Sequence, residues 1–259
     1  MKALFPRAGA LASVAVMVAA ALAACSSSPK HKPGSLSGSI IVYAAASLKD
    51  AFTMLAKQFE TAHPGTHVTV NFGPSSELAT GITNGAPADL FASAAGKPMA
   101  NVVSAGEADP PRNFVKNTME IAVPPGNPAH VASVADLAKK AVKVALCAPT
   151  VPCGDLARQV FTNAHVTVKP VSLEADVKAT LAIVELGEVD AGVVYVTDVK
   201  AAGAKVVGVP IPTSINATTE YPIATLKHAK NPSLAKAFAD YIQSQPGQAV
   251  LNAEGFGRP

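Results

Sequence analysis

Tryptophan is absent from this 259-residue chain, and Phe, Tyr and Trp together make up only 5% of it. So thin an aromatic supply argues against a base-stacking surface for nucleic acid. Charge gives little direction either. There are 21 Lys and Arg against 18 Asp and Glu, and two of the basic residues, Lys2 and Arg7, fall in an opening stretch that has no acid. The remainder is nearly neutral, which argues against nucleic acid or a broad polyanion as partner.

Catalytic groupings are missing as well. Enzymes need a nucleophile with its base, paired carboxylates, or a metal cluster. The chain has no Gly-x-Ser-x-Gly elbow, no phosphate-binding glycine loop and no His-Glu-x-x-His. His63, His67, His130, His165 and His228 fall in turns or on polar strand faces, and His31 lies in a polar linker. Ser47 could be a nucleophile, but nothing in the sequence supplies its base. The reading is a protein that is not an enzyme and carries no cofactor.

Cysteine is scarce, with three in the chain. Cys25 closes an N-terminal address. Lys2 and Arg7 form a basic region, Ala8 to Ala21 is an apolar run too short for a comfortable transmembrane helix, and Leu22-Ala23-Ala24-Cys25 resembles a bacterial lipobox. Residues 1–24 are read as a lipoprotein signal peptide, with Cys25 lipidated and anchored on the outer face of the cell membrane. The alternative is ordinary secretion with cleavage after Ala23 and a stray thiol at Cys25. Residues 25–39, rich in Ser, Pro and Gly without apolar periodicity, read as a flexible tether. Cys147 and Cys153 flank Ala-Pro-Thr-Val-Pro, and outside the cytoplasm such a pair suggests a local disulfide. Two buried thiols are the alternative. A metal site is disfavoured, because no histidine lies near enough to supply a ligand pattern.

The length suffices for one large domain or two lobes. An apolar strand, Ile40 to Ala45, runs into Ser47, and Leu48, Ala51, Phe52, Leu55 and Phe59 then recur at helical spacing. Ser47 with Asp50 reads as an N-cap and variant capping box. The pattern repeats about thirty residues on, where the strand His67 to Phe72 breaks at Gly73-Pro74 and a helix restarts at Ser75. Two such serines fit neighbouring parallel strands whose carboxyl ends share one crevice. Further strands are expected at 88–92, 120–123, 142–146, 191–195, 206–209 and 221–226. Helices are expected at 97–105, from 133, at 154–163, 176–186 and 233–245, and in a short tail. Proline-rich breaks at 124–128 and 210–214 divide the material. Residues 40–121 and 214–259 are therefore assigned to lobe 1 and residues 122–213 to lobe 2.

Helix starts preceded by small or hydroxyl residues recur at Ser47, Ser75, Pro152-Cys153-Gly154 and Ala175-Asp176-Val177. Backbone N–H groups and hydroxyls at helix N-termini suit an ionised oxyanion, which only accepts hydrogen bonds. A donor-only pocket would reject anions that keep a proton, such as phosphate. Against sulfate, selection would rest on pocket size.

The chain resembles the substrate-binding proteins of molybdate ABC importers. The resemblance rests on Ala44-Ala45-Ala46-Ser47-Leu48, Phe72-Gly73-Pro74-Ser75-Ser76-Glu77-Leu78, Gly85-Ala86-Pro87-Ala88-Asp89-Leu90-Phe91, Val151-Pro152-Cys153-Gly154, Glu174-Ala175-Asp176-Val177-Lys178 and Gly192-Val193-Val194-Tyr195. It implies an α/β, type II periplasmic-binding-protein fold, with the ligand in the cleft between two lobes joined by a two-segment hinge. It also implies molybdate or tungstate as ligand, an ABC permease as partner, and a monomer. Carried across, the oxyanion ligands are the hydroxyls of Ser47, Ser75 and Tyr195 and the amides of Cys153 and Val177, with no direct bond from protein to metal. Two departures stand out: Cys153, where the family often has alanine, and Pro74, where serine is common and an amide donor is lost. Asp89 reads as structural, since a carboxylate would repel a dianion. Lys49 and Lys178 flank the proposed donors and steer anions weakly at most. A binder of sulfate or of an organic anion is the alternative. Organic-anion binders commonly carry an arginine, and Arg112 and Arg158 lie outside the matched segments.

Overall fold

The computed structural model describes residues 36–259. The leader, Cys25 and the first part of the tether lie outside the described residues. The tether reading overshoots, because Gly38 and Ser39 already belong to the first strand and Asn231 Nδ2 donates to the Ser37 carbonyl at 2.9 Å.

In chain order the elements are β1 (Gly38–Ala45), α1 (Lys49–Ala62), β2 (Thr66–Gly73), α2 (Ser75–Thr83), β3 (Leu90–Ala92), α3 (Gly96–Ser104) and β4 (Arg112–Val123). Then come β5 (Val144–Cys147), α4 (Pro152–Asn163), β6 (Ser172–Glu174), α5 (Val177–Glu185), β7 (Ala191–Tyr195), α6 (Val196–Ala202) and β8 (Val207–Pro210). The chain closes with β9 (Thr218–Thr225), α7 (Pro232–Gln243) and α8 (Gln245–Ala253). Among the described residues no helix is long and apolar enough to cross a membrane.

Strands run in the order β2-β1-β3-β9-β4-β7-β5-β6, with β8 also on β4. β1 lies parallel between β2 and β3, so both strand–helix junctions open at one sheet end, as the paired serines require. On the other side β5 lies parallel between β6 and β7. The two halves are joined by β4, whose first part pairs antiparallel with β9 and whose second part pairs antiparallel with β7 and β8.

The apolar residues form separate cores on each side of that junction. One core packs β1 and α1 against α7 and α8, with Phe52 and Phe59 set edge-on to Phe238 at 6.4 and 5.2 Å. A smaller cluster around Ile82, Phe91 and Met99 backs the same sheet. The other core gathers Ile121, Val144, Val160, Leu181 and Val193. On β4 the cores divide between Val115 and Met119, and near β9 between Ala217 and Tyr221. A fully buried Phe or Ile side chain stabilises by about 1.5–3 kcal/mol, so both cores contribute to holding the fold.

Three local readings need correction. β4 starts at Arg112, eight residues before the predicted 120–123, because a register shift between Asn113 and Val115 buries Phe114 and Val115 in succession and breaks the alternation. β6 and α6 were not expected: β6 is three residues long, and α6 follows β7 with no intervening loop. Ser47 does not cap α1. It sits inside a 3-10 turn, Ala46–Leu48, without a capping bond, and its hydroxyl meets Tyr221 instead.

Candidate functional site

Four chain segments begin helical turns around one small cavity. Ala46 and Ser47 come from the turn after β1, Pro74 and Ser75 from the start of α2, Pro152 and Cys153 from the start of α4, and Val177 from the start of α5. Tyr195, the last residue of β7, completes the wall. All five residues read from sequence as oxyanion ligands, Ser47, Ser75, Cys153, Val177 and Tyr195, therefore line the same space, although they span 149 positions of the chain. The cavity is small, with about 20 Å³ open to the centre of a water-sized sphere. Only a compact ligand fits. A larger cavity of about 280 Å³ opens beside Asp89 and His228. Its Asp89 is engaged by the Ile41, Lys230 and Asn231 amides, which supports the structural reading of that residue.

Each hydroxyl at the cavity is set up differently. The Ala94 amide donates to Ser75 Oγ at 3.0 Å, which leaves the Ser75 O–H free to donate elsewhere. Ser47 Oγ lies 2.9 Å from the Tyr221 hydroxyl. Among the described residues the buried Tyr195 hydroxyl has no partner at ordinary hydrogen-bond distance, although the Tyr221 hydroxyl is near enough to act on it. A buried orphan of this kind costs about 1–3 kcal/mol and calls for an explanation. Burial pushes the Tyr195 and Tyr221 hydroxyls above their ordinary range, so both stay protonated donors at neutral pH.

The backbone adds donors. In α4, Pro152 occupies the first helical position and has no N–H, so Cys153 carries the first amide of that turn. In α5, Asp176 caps the helix through the Ala179 amide at 2.9 Å, and Val177 is the first helical residue. First-turn amides lack intrahelical acceptors and sit at the positive dipole end. Gly154 is demanded by geometry, since a Cβ there would lie 2.0 Å from the Ala148 carbonyl oxygen. Cys147 and Cys153 are joined by a disulfide with Cα atoms 5.8 Å apart, which ties the end of β5 to this first turn.

Among the described residues no Lys or Arg lines the cavity. Lys178, next to Val177, is turned away from the simple solvent-facing role: its Nζ lies 2.8 Å from Asp50 Oδ2 and 3.2 Å from Asp198 Oδ1. Burial works against its charge, yet Asp198 and Asp50 hold its pKa above the usual value. Asp198 is fully buried, and desolvation lifts it to about 6 while Lys178 opposes the rise. Asp198 Oδ2 accepts the Tyr195 amide at 3.1 Å and so pins the strand end that presents the phenol. With Ser76 Oγ donating to the Thr150 carbonyl at 2.8 Å, the Asp50–Lys178 pair links the segments on the two sides, each contact one to three residues from a lining residue. Arg112 and Arg158 stand elsewhere, Arg112 on Asp240 and Arg158 on Asp155. Among the described residues no group of three His, Cys, Asp or Glu could hold a metal ion.

Sequence reasoning missed Tyr221, Asn117 and the Ala94 amide. Ser47 and Tyr221 are 174 positions apart, and no local pattern links them.

What this arrangement can do is hold a small acceptor-only anion with neutral donors. Comparison with known proteins gives the same direction. The model of the bacterial extracellular solute-binding protein family matches residues 40–257. The chain is 41% identical over 251 residues to the molybdate-binding protein ModA of Mycobacterium tuberculosis, covering 95% of this chain and 96% of that one. In fold it is similar to the periplasmic molybdate-binding protein of Azotobacter vinelandii, with a TM-score of 0.76 at 22% identity over 85% of this chain and 99% of that one. It is also similar to the sulfate-binding protein SubI of M. tuberculosis, at 0.71 and 19%, covering 84% and 86%. The chain is a two-lobed α/β protein that belongs to the bacterial extracellular solute-binding proteins, within their ModA molybdate-binding family.

Proposed function

We propose that the chain captures molybdate, or tungstate, outside the cytoplasm and passes it to the permease of an ABC importer. The observation that carries this reading is the buried Tyr195 hydroxyl, unpartnered in a cavity that Ser47, Ser75 and the first turns of α4 and α5 also line. An oxyanion there would take hydroxyl donors from Ser47, Ser75 and Tyr195 and amide donors from Cys153 and Val177. The ligand is cargo, held through its oxygens, and the reading needs no cofactor and no catalytic step. The small cavity and its lack of arginine favour this over an organic anion. The likeness in fold to a sulfate-binding protein makes sulfate the competing ligand.

Calorimetric titration with molybdate, tungstate, sulfate and phosphate tests the choice. Molybdate and tungstate are expected to bind tightly, sulfate far more weakly, and phosphate least. Tighter binding of sulfate than of molybdate would overturn the ligand assignment.

The disulfide belongs to the same reading. In exported protein unfolded in urea, Cys147 and Cys153 are expected to resist alkylation until reductant is added, and labelling of both without reductant would contradict the bond. Replacing both with Ala should lower stability by about 2 kcal/mol in the chain-entropy model. Oxyanion affinity should change by only a few fold, because the donor at Cys153 is its amide.

We also infer a monomer tethered through a lipid on Cys25, in which the lobe limits read from sequence, 40–121 with 214–259 and 122–213, move to between Val115 and Met119 and between Ala217 and Tyr221, because Met119, Ile121 and Ala217 pack in the second core. Cys25→Ser should move the protein from the membrane fraction to the soluble extracytoplasmic one. If that variant pellets as fully as the natural protein, the anchor is elsewhere.

A further inference from the structure

Two hydroxyls 2.9 Å apart, those of Ser47 and Tyr221, leave open which one donates. Asn117 biases the choice. Its Oδ1 accepts the Thr118 amide at 3.0 Å, so the side chain cannot be flipped without setting N–H against N–H. That fixes Nδ2, a donor only, toward two oxygens: Thr197 Oγ1 at 2.8 Å and the Tyr221 hydroxyl at 3.4 Å. Asn117 donating into Tyr221 takes one acceptor position of the phenol oxygen and favours the arrangement in which the Tyr221 proton goes to Ser47 Oγ and the Ser47 proton points into the cavity. Asn117, Thr197 and Tyr221 are buried behind the cavity wall, so bulk water does not compete at that end of the relay.

We propose that Asn117 and Tyr221 are positioning residues that fix the Ser47 hydroxyl as a donor to the bound anion, and thereby favour fully deprotonated dianions over oxyanions that retain a proton. The proposal rests on reading the cavity as the oxyanion site. An anion such as hydrogen phosphate needs an acceptor for its remaining proton. The lone pair of Ser47 Oγ nearest Tyr221 is already filled by the Tyr221 proton, and Ser75 Oγ is similarly occupied by the Ala94 amide. The relay begins on the two strands that join the halves of the molecule. Asn117 is on β4 two residues before the β7 pairing starts at Met119, and Tyr221 is on β9. Ser47 is thus oriented from the junction rather than from its own turn.

Tyr221→Phe deletes one oxygen and keeps the ring, whose edge-to-face packing on Phe114, Tyr195 and Phe256 does not involve the hydroxyl. The test is a double-mutant cycle by calorimetry with sodium molybdate and sodium phosphate on the natural protein, Ser47→Ala, Tyr221→Phe and the double variant. Tyr221→Phe should weaken molybdate binding by about tenfold and narrow the ratio of molybdate to phosphate affinity. In the Ser47→Ala background it should have almost no further effect, because a residue acting through Ser47 has nothing left to act on. Unchanged molybdate affinity in Tyr221→Phe, or effects that multiply in the double variant, would overturn the proposal while leaving the oxyanion site intact. Full molybdate affinity in Ser47→Ala would instead show that Ser47 is not a ligand, and the proposal would fall with that assignment.

Discussion

Tyr195→Phe is expected to weaken molybdate binding by roughly ten- to a hundredfold while leaving the melting temperature of the ligand-free protein unchanged or slightly raised. The affinity loss follows from one hydrogen bond to a charged acceptor, worth about 1.5–3 kcal/mol net. The stability effect has the opposite sign because the hydroxyl is buried with no partner at ordinary hydrogen-bond distance. Removing an unsatisfied polar atom relieves a desolvation cost, whereas removing a bonded one would create it. The ring itself stays, set edge-on to Tyr221 at 6.2 Å. Calorimetry and a thermal melt on the same sample separate the two effects. A variant that loses affinity and stability together would mark Tyr195 as a packing residue. One that loses neither would place the ligand elsewhere.

The fold was legible wherever burial and periodicity agree. β1, α1 and β7 were found close to their true limits because the apolar residues of α1 recur at helical spacing and β7 is apolar throughout. The reading failed where tertiary structure overrides the local pattern. The first half of β4 is polar in sequence, and its register shift hides the strand; only pairing with β9, about a hundred residues later, makes it one. Ser47 shows the same limit at the site. A serine followed three residues on by Asp50 looks like a capping box, but Asp50 is drawn to Lys178 and Ser47 to Tyr221. The strand–serine–helix repeat pointed to a shared anion crevice, and both serines do line one cavity. It could not reveal which groups orient those serines, since Ala94 and Tyr221 reach them from distant strands.

That division has a physical reason. Helix starts are written locally, in prolines, serines and an Asp cap, so the positions of the backbone donors can be read from short segments. Hydroxyl direction is set by whichever donor lies behind the oxygen, and the fold alone supplies that neighbour. The backbone donors can therefore be challenged with the least ambiguity.

Val177→Pro is the sharpest such challenge, and it should reduce molybdate affinity by at least a hundredfold. Val177 is the first residue of α5, the position where proline is best tolerated because its missing N–H has no intrahelical role. Asp176 before it is already extended, at φ −152° and ψ 179°, a region that residues preceding proline accept. The cap itself uses the Ala179 and Thr180 amides and is untouched. The change thus deletes one amide donor, worth about 1.5–3 kcal/mol to a charged acceptor, and puts a ring carbon where the anion's oxygen would sit. Val177 is buried in the core, so some stability is lost with its methyl groups. Val177→Ala measures that part alone, because it trims the side chain and keeps the N–H. The expected pattern is near-natural molybdate affinity in Val177→Ala and a collapse in Val177→Pro, with both variants folded by circular dichroism. Equal affinity in the proline variant and the natural protein would remove this amide from the site, and an equal loss in both variants would assign the effect to core packing.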